Sequence, residues 1–146
     1  MLKMLAGWPR TFLLAAALLA PAMAQAFGPG NAGVYAVFDQ KGQQTDVAYR
    51  FYLRNDKWVA EERAADGSWA PFVCKSDCEI TPMSPAEVTI IFGPSLNLFE
   101  PSCISNSNFA VCTYTGKKDP KSGFLMVVKT PEGKVVLVHL GLLATM

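Results

Sequence analysis

From Phe27 onward, no stretch of this chain holds a helical hydrophobic period over three turns. Short apolar runs are cut at close intervals by Gly, Pro, Asn and Asp, the residues that set turns. A chain punctuated in this way satisfies its backbone N–H and C=O groups best as short strands joined by tight turns. Its 146 residues suit one domain, and 51% of them are apolar, enough for a core. The pattern predicts an all-β, antiparallel fold of about eight short strands, built as a small barrel or a two-sheet sandwich.

The clearest alternation spans residues 47–54. Tyr49, Phe51 and Leu53 share one face, and Arg50, Tyr52 and Arg54 share the other. Asn55 and Asp56 both tolerate left-handed backbone and read as a two-residue hairpin turn. That turn sets a register: Leu53 opposite Trp58, Phe51 opposite Ala60 and Tyr49 opposite Glu62, with Tyr52–Val59 and Arg50–Glu61 on the other face. Asp66-Gly67 marks a second hairpin. A two-residue loop there places Trp69 opposite Ala64, on the Trp58 face; a three-residue loop with a bulge places it opposite Arg63, on the reverse face. Pro71 assigns this strand to a sheet edge.

Further strands are expected at residues 34–39, 87–92 and 109–114. Residues 93–102 read as an irregular loop clipped to the core by Leu96, Leu98 and Phe99. A last hairpin, 124–129 with 134–140 around Thr130-Pro131-Glu132-Gly133, is apolar on both faces. Such strands belong at the centre of a sheet or under cover on both sides.

Residues 1–26 read as a secretory signal peptide. Lys3 and Arg10 supply the positive start, residues 11–20 the short apolar core, and Pro21 the break, with small residues at Ala22, Ala24 and Ala26. Cleavage is expected after Ala24 or Ala26, with Ala26 favoured. The apolar core is about half the ~20 residues a spanning helix needs, so no stable membrane anchor is expected after cleavage. Residues 27–146 then form the single exported domain.

All four cysteines lie in that domain. An even count in an exported chain reads as two disulfides. Pairs Cys74–Cys78 and Cys103–Cys112 are favoured, since each is close in sequence and flanked by turn-forming residues. The crossed pairings would tie the middle of the chain to its later third. Three residues separate Cys74 from Cys78, unlike the two of a thioredoxin-like motif. Neither spacing fits a zinc finger, and His139 is the one histidine. No metal and no cofactor is expected.

Thirteen basic residues face twelve acidic ones, and Lys3 and Arg10 leave with the signal. The near-neutral remainder argues against nucleic acid and against a polybasic membrane surface. No nucleophile elbow and no phosphate-cradling glycine loop is present. Glu61 and Glu62 are adjacent and point to opposite faces of a strand. Glu62 falls beside Tyr49 on the apolar face, where burial raises a carboxyl's pKa; it and His139 are the positions an enzyme reading would rest on. No catalytic residue is assigned. The expected function is therefore non-catalytic binding of another envelope or secreted protein by a periplasmic or secreted module, for example as an inhibitor or immunity-type protein. Aromatic and Arg side chains favour interface hot spots, which points to Arg50, Tyr52 and Arg54, with Leu96 and Phe99 from the 93–102 loop. A β-barrel carrier of a small apolar ligand is the alternative.

Overall fold

The computed structural model describes residues 26–72, 74–119 and 121–146. Of the expected signal segment, residues 1–25 lie outside the described residues.

The chain forms β1 (Gly33–Phe38), β2 (Gln44–Arg54), β3 (Lys57–Arg63), β4 (Trp69–Pro71), β5 (Thr81–Pro82), α1 (Pro85–Phe92), β6 (Phe99–Ser105), β7 (Phe109–Gly116), β8 (Ser122–Lys129) and β9 (Val135–Thr145). One antiparallel sheet holds all nine strands in the order β4-β3-β2-β1-β9-β8-β7-β6-β5. The all-β antiparallel class is as expected. In place of about eight strands in a barrel or a sandwich, there is one nine-stranded sheet curled into a half-barrel. The difference comes from β5 and β6, which lie outside the expected strands, offset by residues 87–92, which form none; the edge strands β4 and β5 are short pieces of three and two residues.

The curl follows from the core. Phe51 on β2 and Phe109 on β7 lie four strands apart, which is about 19 Å across a flat sheet. Their ring centroids are 5.9 Å apart. The concave face is filled by Tyr35, Phe51, Ile104, Phe109, Val111 and Met126, each at most 1% exposed. Burial of these large side chains is the main term holding the two halves together.

Two devices close the open side between the edges. At one end, the Phe27 amide donates to Ser102 Oγ on β6 (3.1 Å), and its ring packs 5.4 Å from Trp58 on β3. At the other, Phe72 and residues 74–80 form a strap, with the Phe72 and Ile80 side chains packed on the core. Its backbone is pinned by Phe72 N–H to the Ala60 carbonyl (3.0 Å), Ser107 N–H to the Asp77 carbonyl (3.2 Å) and Asn106 Nδ2 to the Cys78 carbonyl (3.3 Å). The Cys74–Cys78 disulfide closes the strap on itself. The Cys103–Cys112 disulfide joins directly opposed residues of β6 and β7. Both favoured pairings are therefore present.

The β2–β3 register is as derived from the turn, from Leu53 opposite Trp58 to Tyr49 opposite Glu62. Asn55 and Asp56 take φ of 50° and 61°, the left-handed values the turn requires. The next hairpin takes the three-residue solution: Ala64 N–H donates to the Ser68 carbonyl, and Trp69 sits opposite Arg63.

Residues 87–92 are a correction: they are helical, not a strand. Ser84 caps the helix by accepting from Glu87 N–H, and the Glu87 carboxylate returns to Ser84 N–H, a reciprocal capping box, with Pro85 opening the first turn. Residues 93–102, expected as an irregular loop clipped by Leu96, Leu98 and Phe99, are more regular than that, and Leu98 is not a clip: it is 63% exposed. Gly93–Asn97 forms a 3-10 turn and Phe99 begins β6. Phe92, Val88, Ile91, Leu96 and Phe99 pack on the convex side of β6–β8, against the Cys103–Cys112 disulfide, Leu125 and Val127. Both faces of β8 are thereby covered, as its sequence requires.

Candidate functional site

Among the described residues, the convex face of β2, β3 and β4 carries no helix of the kind that covers β6–β8. Alternation places Arg50, Tyr52 and Arg54 on it, and the register adds Lys57, Val59, Glu61, Arg63 and Trp69. The Arg50 guanidinium lies 4.6 Å from the Trp69 ring centroid and 5.4 Å from that of Tyr52. Its Nε donates to the Glu61 carboxylate directly across the strand pair. Arg54 covers the other end of Tyr52, 5.5 Å from the ring, and donates from Nη2 to the phenol oxygen at 2.8 Å. Arg63 donates to the Asp46 carbonyl at 2.8 Å.

The result is a row in which Arg50 lies over both aromatic rings while Arg54 stays exposed. Stacking on aromatic faces restricts the orientation of each guanidinium. Four cations, Arg50, Arg54, Lys57 and Arg63, share the face with two carboxylates, Asp46 and Glu61. Glu61 is already engaged, so the face carries a net positive charge suited to hydrogen-bonding carboxylates.

Leu96 and Phe99 are not part of this row. They pack beside α1 in the second hydrophobic cluster, Phe99 with its ring 5.6 Å from Phe92 and 5.8 Å from Tyr114. Trp69 joins the row instead. Its alternation showed only that the loop length would decide its face, and Ala65-Asp66-Gly67 decides it.

Glu62 is exposed at the rim rather than half-buried. Burial, and secondarily the Glu62 charge, push the Tyr49 phenol above its ordinary range. His139 stands exposed on the convex side of β9, opposite Phe38 and Leu125. Among the described residues no group of three or more His, Cys, Asp or Glu side chains is placed to hold a metal, and no helix is long and apolar enough to cross a membrane. Packed side chains fill the concave face, and concavities of a few hundred cubic ångströms lie around α1 and beside Phe72 and Val128. Compared with protein-family models, curated proteins and solved structures, the chain matches none.

Proposed function

We propose that this protein is an exported, non-catalytic binding module that holds another envelope or secreted protein on the convex face of β2–β4. The observation that carries the reading is Arg50, stacked between Trp69 and Tyr52 and tied to Glu61 on an uncovered sheet face. Rigid aromatic and Arg side chains supply contact area at little entropic cost and are enriched at binding hot spots. The positive balance of the face fits a partner surface bearing carboxylates. Two disulfides fit an oxidising, extracytoplasmic compartment, periplasmic or secreted. An inhibitor or immunity-type role follows if the partner is an enzyme that acts on the envelope.

The test is comparative capture. Oxidised wild-type protein and the triple variant Arg50→Ala, Tyr52→Ala, Arg54→Ala are immobilised and exposed to envelope and culture fractions, with retained proteins identified by mass spectrometry. A stoichiometric partner held by wild type and released by the variant is the expected result, and assaying that partner's activity then separates inhibitor from scaffold. Equal retention by both forms would remove this face from the binding site.

A further inference from the structure

The second open surface lies between α1 and β9. The β9 strand is flanked by β1 and β8, yet its convex side is bare: Val135 is 52% and Leu137 49% exposed. Ile90 on α1 is 82% exposed. Between these walls runs an apolar trough of about 350 Å³, floored by Leu125 and Val127 and walled by Ile91, Phe99 and Leu137. It continues past Ile91 and Val135 into a second concavity of about 280 Å³, which ends at Lys129 and Lys134. Along β9, from Lys134 to His139, the trough is about 16 Å long.

The two lysines decide what fits. Lys129 is held, its Nζ donating to the Asn106 carbonyl at 2.9 Å. Glu87 lies at the same end, but its carboxylate is turned onto Ser84 N–H at 2.7 Å. Among the described residues Lys134 makes no ion pair. An apolar trough whose far end is lined by Lys129 and Lys134 is complementary to a chain with an anionic head. Its two concavities, about 350 and 280 Å³, together fall within the range of small-ligand sites, roughly 300–1,000 Å³, and their run of about 16 Å suits one extended chain. We infer that the α1–β9 trough binds a free single-chain carboxylate amphiphile of the fatty-acid type, its chain along Ile91, Val135 and Leu137 and its head at Lys134.

The test is titration of the purified, oxidised protein with dodecanoate below its micelle concentration, read by calorimetry and by amide chemical shifts. One saturable site is expected, with shifts centred on Ile91, Val135 and Leu137. Leu137→Glu places a charge in the trough and is expected to weaken binding about tenfold or more. Ile90→Glu, at a position outside the core, is the second variant should Leu137→Glu unfold, and the same direction is expected. Lys134→Gln is expected to weaken dodecanoate severalfold and leave 1-dodecanol unchanged. Absence of saturation, shifts confined to other regions, or indifference to Lys134→Gln overturns the proposal. So does a dimer whose contact shields Leu137 in place of ligand, or capture by phosphatidylglycerol vesicles of a protein that ignores free dodecanoate. These readouts do not involve Arg50, Tyr52 or Arg54, so this site stands or falls apart from the β2–β4 face.

Discussion

Tyr35 concentrates much of the local physics at the centre of the curl. Its ring is fully buried, 5.0 Å from Phe124 and 5.9 Å from Phe51, and its hydroxyl donates to the Asn31 carbonyl at 2.5 Å. Burial disfavours the phenolate and pushes the pKa from 10.0 up to about 12. The folded state thus holds this proton more tightly than the unfolded chain does. The associated stability is complete below pH 10.0 and is lost as pH rises through about 12. Full loss amounts to roughly 2–3 kcal/mol. Tyr35→Phe is expected to cost about 1 kcal/mol at neutral pH through the lost hydrogen bond. It should also flatten the alkaline decline relative to wild type, which urea-unfolding midpoints from neutral to alkaline pH would show. Legibility at this scale depended on turn length. The Arg50–Glu61 pair could be read from the sequence because a two-residue turn leaves one register. Trp69 could not be placed, because Ala65-Asp66-Gly67 allows two.

Among the elements, α1 shows where local pattern and local signals compete. Glu87-Val88-Thr89-Ile90-Ile91-Phe92 is rich in β-branched residues, and β propensity alone favours a strand. The ends decide otherwise. Ser84 and Glu87 cap each other, Pro85 opens the first turn, and Gly93 stops the helix at φ 47°. Ser84→Ala is expected to destabilise the protein by about 1 kcal/mol. Amide exchange should rise first at Glu87, whose N–H donates to the Ser84 hydroxyl. The Ser84 hydrogen bonds, with a smaller contribution from Lys129, hold the Glu87 carboxyl below its ordinary 4.5. The cap therefore contributes at pH above that value and weakens as pH falls through the lowered one. The trough was hidden for a related reason. The two-faced apolar run at 134–140 announced a covered strand, but only the tertiary position of α1 shows that the cover stops short of Val135 and Leu137.

At the scale of the molecule, the strand order reads as a simple meander when started at β5: β5-β6-β7-β8-β9-β1-β2-β3-β4. Each pair then joins sequence neighbours except β1 with β9, and those strands meet with Gly33 opposite Thr145. Nothing in the local sequence signals this contact, because long-range pairing leaves no spacing rule within either strand. A circular permutant that links Met146 to Phe27 through a short Gly/Ser linker and opens the chain at Ser76 would have mostly local contacts. It is expected to keep the fold, with Cys74–Cys78 now joining the new ends, and to refold faster than wild type in stopped-flow measurements.

The β1–β9 pairing also gives the two ends of the chain unequal weight in time. A chain delivered in order of synthesis completes β1 to β4 early, with one margin of β1 unpaired, and assembles β5 to β8 as a separate ribbon. The final 11-residue strand then fills the gap between them. Until it arrives, both ribbons present raw hydrogen-bonding edges that can template association with other chains. A stop codon placed within that last strand would not trim a frayed tail. It would divide the sheet down its middle.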